Sequence, residues 1–316
     1  MPEMCGWKGV SHDMVTSSYR CSPGSRLRYF LVPVLTVVLL NSCIFRETQE
    51  ATTRIVAGEV ADLSHDRFSE KSWQKGFYKP EEFAKETGVG IYFLKEYDAR
   101  KIPILFINGM NGSPQLWKLF FTTINRDRYQ PWFFSYPTGM SLTESAGLLT
   151  ELLEGLHEIY GFEEMYLTAH GTGGLIARAA IIKKLKEESP DYITVFVSIA
   201  TPWGGYKTEA AEVLDSTDAI PSLVDMKPDS RFFKSLYRTR IDLNLDHYMF
   251  VAYGTGMLSL GPMGGPPPLK SQLYFTAQTE AVKEFGFYED YLGILGSEDV
   301  VRKYNRILAM KEKSRL

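Results

Sequence analysis

Apolar and polar positions alternate in blocks along the chain from about residue 100 onwards. Short apolar runs bounded by polar or glycine-rich residues predict buried strands, and apolar residues that recur every three or four positions predict helices. The predicted strands are 102–107, 132–136, 165–169, 192–199 and 247–253, and the predicted helices are 114–124, 142–160, 173–186 and 298–310. Because strands and helices take turns, the pattern favours an α/β protein with a mostly parallel sheet covered by helices on both faces.

Three segments depart from this regular pattern. Residues 44–63 are polar and weakly patterned and are predicted to be a tether, whereas residues 68–92 carry irregularly spaced aromatic residues that we expect to pack onto the main domain. Residues 206–246 are long and mixed in composition. We predict that they form a cap over the carboxyl edge of the sheet, where folds of this class bind ligands.

The N-terminal residues have the pattern of a targeting signal. Arg20, Arg26 and Arg28 precede an apolar run at residues 29–40, which matches a signal peptide and is short for a membrane-spanning helix of about 20 residues. An uncleaved N-terminal membrane anchor is the alternative interpretation, and Met14 is an alternative start of the chain.

The apolar run ends at Leu40-Asn41-Ser42-Cys43, which resembles the lipobox of bacterial lipoproteins. The resemblance implies cleavage before Cys43, acylation of its thiol, and attachment to a membrane of the bacterial cell envelope, on the periplasmic or outer surface. We therefore expect a signal peptide over residues 1–42, a tether and N-terminal extension over 43–75, and the main domain over 76–316.

Composition narrows the classes of function. The 316 residues include 35 basic and 38 acidic side chains, and this near balance argues against a nucleic-acid-binding surface. The three cysteines, Cys5, Cys21 and Cys43, all precede residue 44, so the main domain can form neither a disulfide framework nor a thiolate metal site. The few histidines show no metal-ligand spacing, and the sequence predicts no metal and no cofactor.

Residues 165–180 carry the candidate chemistry. They predict a short apolar strand, a glycine-rich turn and a helix, which is the context of the nucleophile elbow in α/β-hydrolases. Such an elbow places a serine at the tip of a strained turn, with its hydroxyl exposed above the sheet. Here the tip residue is Gly171, so the strand, turn and helix of the elbow are present but the nucleophilic hydroxyl is missing.

The chain resembles bacterial lipoproteins of the α/β-hydrolase superfamily that are related to lipases and to esterases of the GPI inositol-deacylase type. The resemblance spans about residues 76–312. Besides the elbow, the stretches that carry it are Gly90-Ile91-Tyr92-Phe93-Leu94, Asn111-Gly112-Ser113-Pro114, residues 130–137, Thr201-Pro202-Trp203-Gly204-Gly205 and Phe287-Tyr288-Glu289-Asp290-Tyr291.

This resemblance implies a catalytic triad in the chain order Ser, Asp, His. The serine falls at Gly171, the aspartate at Gly264 or alternatively Gly265, and the histidine at Tyr291. At Asn108 the family usually has a histidine that begins the oxyanion loop. The backbone N–H groups of Met110 and Thr172 correspond to the oxyanion hole and are candidates to hold a carboxylate or phosphate.

None of the three triad positions meets the chemical requirement of its role. Glycine has no atom that a base can deprotonate and no carboxylate to orient an imidazole, and a tyrosine with a reference pKa of about 10 is a poor base at neutral pH. The sequence therefore favours a pseudoenzyme. It would bind either a lipid or acyl ligand, in the cleft where a related hydrolase binds its substrate, or a partner. The alternative is an active esterase or lipase with a non-standard site.

Other hydroxyl and imidazole side chains could in principle substitute for the missing groups. We expect the Thr172 side chain to point away from the cleft mouth, Ser198 to be a core hydroxyl and His170 to pack beneath the elbow. The remaining histidines, which we expect to be structural or solvated, are His65, His157 and His247.

Overall fold

The computed structural model describes residues 54–110, 112–187, 191–205, 219–241, 245–254 and 267–313. One eight-stranded sheet forms in these residues. Its strands are β1 (Ile55–Val60), β2 (Val89–Phe93), β3 (Ile102–Ile107), β4 (Tyr129–Ser135), β5 (Met165–His170), β6 (Ile193–Ile199), β7 (Asp246–Ala252) and β8 (Lys283–Phe287).

The helices lie between and after these strands. They are α1 (Glu70–Tyr78), α2 (Pro80–Glu86), α3 (Lys118–Thr123), α4 (Leu142–Tyr160), α5 (Thr172–Lys186), α6 (Pro221–Asp225), α7 (Arg231–Leu236), α8 (Leu269–Gln272), α9 (Phe275–Gln278) and α10 (Glu298–Lys313). Short 3-10 turns cover Asp66–Phe68, Pro114–Trp117 and Gly293–Leu295. The predicted helix at 142–160 matches α4, and its serine cap explains the start, because Ser141 Oγ accepts a hydrogen bond from the N–H of Glu144 at 3.1 Å.

The strands are ordered β1-β2-β4-β3-β5-β6-β7-β8 across the sheet. Strand β2 runs antiparallel to β4, and all the other neighbours in the sheet are parallel. The mostly parallel sheet predicted from the sequence is therefore confirmed. The carboxyl ends of β3 and β5 lie side by side at its centre, which places the loop after β3 beside the turn after β5.

Two apolar cores cover the two faces of the sheet. Successive side chains of a strand point to opposite faces, so Leu105 of β3 packs in one core and Phe106 packs in the other. The core around Leu105 contains the apolar side of α4, including Leu153, and the core around Phe106 contains Tyr304 of α10. Helices therefore cover both faces, as the alternating pattern of strands and helices predicts.

The prediction of a tether over residues 44–63 is wrong at residues 55–60, which form β1. This strand pairs in parallel with β2, so the predicted boundary at residue 76 falls within the folded unit. The sequence pattern is weak because β1 is an edge strand, in which Val56 is buried and Ile55 is exposed. The expected packing of the aromatic segment is confirmed, since Phe68, Phe77 and Phe83 are buried.

Two further strands were not predicted. Strand β2 is apolar and fully buried, but it is short and follows closely on α2. Strand β8 lies at the other edge of the sheet, where Lys283 and Glu284 are exposed. Because of these polar residues, its sequence lacks the apolar run that predicts a buried strand. Edge strands with charged residues are a common arrangement because the charges discourage pairing with other chains.

The described part of the predicted cap, residues 219–241, contains α6 and α7. Asp225 Oδ2 at the end of α6 accepts a hydrogen bond from the N–H of Leu142 at 2.8 Å, and this contact joins the segment to the first turn of α4. Residues 206–218 and 242–244 of the predicted cap lie outside the described residues, as do the predicted signal peptide and Cys43. Among the helices of the described residues, none has the length and apolar character needed to cross a membrane.

Candidate functional site

The turn between β5 and α5 has the backbone geometry of an elbow. Gly171 lies between the last residue of β5 and the first residue of α5, with φ 54° and ψ −129°. Its N–H donates to the carbonyl of Ile199 at 2.9 Å, and its own carbonyl accepts from the N–H of Gly174 at 3.1 Å. Residues with a side chain rarely adopt a positive φ of this kind, so glycine relieves strain at this position.

Tyr291 occupies the space above Gly171. A Cβ added at Gly171 would overlap the Tyr291 hydroxyl and would lie 2.9 Å from Cζ of the same ring. Tyr291 is 7% exposed. The structure thus brings together two of the three positions that the sequence assigns to the triad, and a tyrosine ring fills the place where a serine side chain would begin.

The third triad position cannot be placed in the same way. Gly264 and the alternative Gly265 lie outside the described residues, in the segment that joins Gly254 to Pro267. The chain resumes with α8, in which Gln272 Nε2 donates to the carbonyl of Ala252 at 3.0 Å, at the end of β7. The assignment of the acid to Gly264 stays a prediction.

Thr172 is 3% exposed, and its Oγ1 accepts a hydrogen bond from the N–H of Met110 at 2.9 Å, so the side chain is turned inward to the loop after β3. That it points away from the cleft mouth stays a prediction. The same bond engages one of the two N–H groups that we expected to hold an anion. A carboxylate or phosphate at this turn would have to displace the Thr172 hydroxyl from Met110.

Tyr136, which directly follows β4, is hydrogen-bonded to the same loop, and the sequence pattern did not identify it as a site residue. Its hydroxyl donates to the carbonyl of Asn108 at 2.7 Å and also hydrogen-bonds with the Thr172 side chain. Burial raises the pKa of Tyr136 above its usual range, and the hydrogen bond with Thr172 opposes that rise only in part. Hydrogen-bonded hydroxyl groups therefore lie where the resemblance implies an oxyanion hole.

Asn108 forms hydrogen bonds that hold the loop after β3 together. Its Nδ2 donates to the carbonyl of Gly112 and, more weakly, to that of Gly109 at 3.4 Å. Gly109 has little room for a side chain, because an added Cβ would lie 2.8 Å from the His170 carbonyl and 3.0 Å from the Tyr291 hydroxyl. The loop after β3 is therefore closely packed against the elbow.

His170 is buried beneath the turn, as predicted from the sequence. Its Nε2 lies 2.7 Å from the carbonyl of Tyr291, and the two rings are 4.3 Å apart at their centroids. A carbonyl only accepts, so Nε2 carries the proton and donates. Burial lowers the pKa of His170 to about 4, although the bond to Tyr291 acts in the opposite direction. This imidazole positions the segment that bears Tyr291.

The other candidate side chains lie in different surroundings. Ser198 is buried, as expected, and its hydroxyl lies 2.9 Å from Nε2 of His247, whose pKa is lowered to about 3 by burial and by the nearby Arg178. The sequence did not reveal this serine–histidine contact, because the two residues are 49 positions apart on neighbouring strands. His157 stacks on Tyr192 at 4.4 Å.

Chemically, the described part of this turn offers neither an attacking group nor a base directed at one. Gly171 has no side chain, the Thr172 hydroxyl is engaged with Met110, and the His170 imidazole faces a backbone carbonyl. The described residues also contain no group of three or more histidine, cysteine, aspartate or glutamate side chains that could hold a metal ion.

No family model matches the sequence, and no curated protein matches it significantly. Solved structures of similar fold include the product of the gene lin2722 from Listeria innocua, at 14% identity and a TM-score of 0.47, covering 65% of this chain and 92% of that one. The mature lipase BlEst2 of Bacillus licheniformis has 16% identity and a TM-score of 0.45, covering 64% and 89%. A carboxylesterase from Nitrososphaera gargenis has 12% identity and a TM-score of 0.44, covering 72% and 96%.

At these identities and TM-scores the matches carry no argument about activity, and the fold is assigned from the sheet itself. The strand order provides the structural criterion. Strands β3 to β8 run parallel to one another, and β1 and β2, which are parallel to each other, run in the opposite direction at one edge. The turn that joins the end of β5 to α5 lies at the centre of this sheet. By the order of its strands and by the position of this turn, the chain has the α/β-hydrolase fold.

Proposed function

We propose that this protein is a catalytically inactive α/β-hydrolase-like protein that acts by binding, and that it is tethered to a bacterial membrane through an acylated Cys43. The observation that carries the proposal is the position of Tyr291, whose hydroxyl fills the space of a side chain at Gly171. A hydrolase of this fold needs a nucleophile at that point, and glycine provides none.

Because Tyr291 covers the turn at Gly171, the turn limits which ligands can bind there. The N–H of Met110 bonds to Thr172, and Tyr291 covers the tip of the turn, so an acyl carbonyl has no open place beside Gly171. This arrangement favours a partner protein over an acyl chain held at the turn. A lipid or acyl ligand stays the alternative, and it would bind in the cleft at a distance from Gly171.

The first experiment measures hydrolysis by the purified full-length chain. We expect short- and long-chain p-nitrophenyl esters to be hydrolysed no faster than in buffer without protein. We also expect no labelling by a fluorophosphonate probe. A serine hydrolase assayed in parallel shows that the substrates and the probe are active. Turnover or labelling that tracks the purified protein and disappears in Thr172→Ala would contradict the proposal.

A second candidate function is ester hydrolysis through the Ser198–His247 pair. The observation in its favour is the 2.9 Å contact between a hydroxyl and an imidazole nitrogen, which is the distance of a nucleophile from its general base. Against it stands the burial of both side chains in the core. Activity that is lost in Ser198→Ala but kept in Thr172→Ala would establish this second candidate instead.

The tether is tested separately from the catalytic question. In a bacterial host, we expect the chain to incorporate radiolabelled palmitate and to sediment with membranes, and we expect Cys43→Ser to lose the label. Cys21→Ser is the matched control, because it precedes the proposed cleavage point and should keep the label. Membrane association that persists unlabelled in the wild-type chain would favour an uncleaved N-terminal anchor.

A further inference from the structure

The proposed tether joins the folded domain at the edge of the sheet that carries the elbow. Strands β3 to β8 end at this edge, beside Gly171, and we call it the elbow edge. Strands β1 and β2 run in the opposite direction and therefore begin there: Ile55 of β1 pairs with Val89 of β2, and β2 is antiparallel to β4. The chain that follows the proposed lipid anchor thus enters the domain at the elbow edge.

The tether is short compared with the domain. Eleven peptide bonds separate Cys43 from Arg54, the first residue that the structure describes. A fully extended chain spans at most about 3.6 Å per residue, so this length reaches no more than about 40 Å. A compact domain of this size is roughly 45 Å across. The attachment therefore favours the elbow edge as the one that faces the membrane, because the opposite edge would need a fully extended tether.

Exposed apolar side chains lie at the elbow edge near β7 and β8. Tyr253 directly follows β7 and Tyr288 directly follows β8, and the centroids of their rings are 5.7 Å apart. Tyr288 is 74% exposed. Helix α8 is hydrogen-bonded to the end of β7, and Leu269, Leu273 and Tyr274, in or just after this helix, are also exposed. Five large apolar side chains therefore lie beside the carboxyl ends of two neighbouring strands.

The same edge carries three more exposed apolar side chains on the side where the tether enters. Ile55 begins β1. Tyr78 ends α1, in which the carbonyl of Gly76 accepts a hydrogen bond at 3.0 Å from the N–H of Gly139, in the loop after β4. Val224 belongs to α6, which is hydrogen-bonded to the carbonyl of the same Gly139. The exposed apolar residues thus extend from the β1 side of the sheet to the β8 side.

The opposite edge of the sheet carries fewer such residues. Val60 ends β1, Ile159 lies in the last turn of α4, Val282 directly precedes β8, and Met310 lies near the end of α10, which an ion pair joins to the start of β7. Among the described residues, eight of the twelve exposed large apolar side chains therefore lie at the elbow edge. Exposed apolar residues that are concentrated on one face mark an interaction surface.

The tether and the exposed side chains indicate the same occupant for this surface. A tyrosine combines an apolar ring with a polar hydroxyl, and this combination suits the headgroup region of a bilayer. We propose that the elbow edge rests on the lipid bilayer, with Tyr253, Tyr288 and the neighbouring aliphatic side chains in the headgroup region. The orientation rests on the proposed tether and adds to it the surface that faces the membrane.

The test uses fluorescent probes at the two edges of the full-length, acylated protein. Cys5→Ser and Cys21→Ser leave Cys43, which is acylated, so that one introduced cysteine can be labelled with a fluorophore. Val224→Cys and Val60→Cys are a matched pair, because the two valines are 42% and 41% exposed and lie at opposite edges. In vesicles of phosphatidylethanolamine and phosphatidylglycerol that contain nitroxide-labelled lipid, the probe at position 224 should be quenched and the probe at position 60 should not.

A second pair of variants tests whether the side chains themselves hold the orientation. Tyr253→Ser combined with Tyr288→Ser should shift the docked population at least about tenfold towards the undocked one, read by the probe at position 224, because docking buries both rings. Val282→Ser combined with Ile159→Ser, at the opposite edge, should leave the quenching unchanged. All four residues are exposed, so these substitutions should not alter the core.

The tether and the orientation fail in different ways. Loss of the palmitate label and of membrane association would refute the tether, and the orientation with it. Equal quenching at both edges of a membrane-bound, acylated protein would overturn the orientation and leave the tether intact. A probe at position 224 that is shielded from water but not quenched by the nitroxide lipid would assign the elbow edge to a partner protein or a second copy, and would also overturn the proposal.

Discussion

The hydroxyl of Tyr291 overlaps the position that a Cβ at Gly171 would take. The two residues are 120 positions apart in the sequence. The Tyr291 ring can lie over the turn only because residue 171 has no side chain, and a serine at position 171 would clash with Tyr291. The two substitutions are therefore physically coupled, which is the relationship that the first predictions test.

Gly171→Ala should lower the free energy of unfolding by about 2–5 kcal/mol. Backbone strain at the positive φ accounts for about 1–3 kcal/mol, and the overlap with the Tyr291 hydroxyl adds about 1–2 kcal/mol. In a Tyr291→Ala background only the strain should remain. Denaturant unfolding of the two single variants and the double variant should then show a coupling energy of about 1–2 kcal/mol. Additive changes would mean that Tyr291 does not occupy the space above Gly171 in solution.

Restoring activity should require more than one change. Gly171→Ser alone should be inactive towards p-nitrophenyl esters, because it supplies a hydroxyl without a base and clashes with Tyr291. The triple variant Gly171→Ser, Tyr291→His and Gly264→Asp should show some ester hydrolysis, since it removes the clash and supplies the three groups of a triad. Activity from Gly171→Ser alone would show that a base already lies near the turn.

Thr172→Val should destabilise the protein by about 1–3 kcal/mol, because it leaves the buried N–H of Met110 without its acceptor. Valine matches threonine in shape, so the loss reports on the hydroxyl. Thr172→Ser keeps the hydroxyl and should retain most of the stability. Hydrogen exchange at the Met110 amide should become faster in the valine variant relative to the serine variant. Equal protection in both variants would argue against this bond.

The sequence predicted the parts of the fold in which local pattern and burial agree. The helix α4 was predicted at its true ends because its apolar residues recur at helical spacing, a serine caps its start, and Gly161 ends it with a positive φ. The buried strands β3, β5 and β6 were found for a similar reason, since they are continuous apolar runs.

The pattern failed where a strand lies at the edge of the sheet. Ile55 and Lys283 are exposed, so β1 and β8 lack the apolar signature that a buried strand requires. The site was predictable in part through the resemblance, which assigned Gly171 and Tyr291 to one place. The bond between Thr172 and Met110 spans 62 positions and depends on side-chain direction, which no local pattern encodes.

The buried ion pair between Arg178 and Glu280 should be the most sensitive electrostatic contact outside the turn. Arg178 Nη2 lies 3.0 Å from Glu280 Oε1, and both side chains are almost fully buried. Glu280→Gln should lower the free energy of unfolding by about 3–5 kcal/mol, because it leaves the guanidinium without its charge partner. The double variant Arg178→Met and Glu280→Leu should lose much less than the sum of the two single variants. Additive losses in chemical denaturation would contradict this prediction.

Two buried histidines should make the stability of the protein depend on pH. Burial lowers the pKa of His170 to about 4 and that of His247 to about 3, from a usual value of 6.5. Between about pH 4 and 6.5 the unfolded chain therefore binds more protons than the folded one, and the free energy of unfolding rises with pH. Above pH 6.5 the contribution of both histidines is complete, and it is lost as the pH falls towards the folded-state values.

The measurement is the slope of the free energy of unfolding against pH, from urea denaturation between pH 4.5 and 6. One proton corresponds to about 1.4 kcal/mol per pH unit, so the two histidines together should contribute up to about 2.7 kcal/mol per pH unit. His170→Gln should reduce the slope by about one proton, and adding His247→Gln should reduce it by about one more. Carboxylates titrate in the wild type and the variants alike, so the difference between the curves isolates the imidazoles. An unchanged slope in His170→Gln would mean that His170 is charged in the folded protein or exposed to solvent.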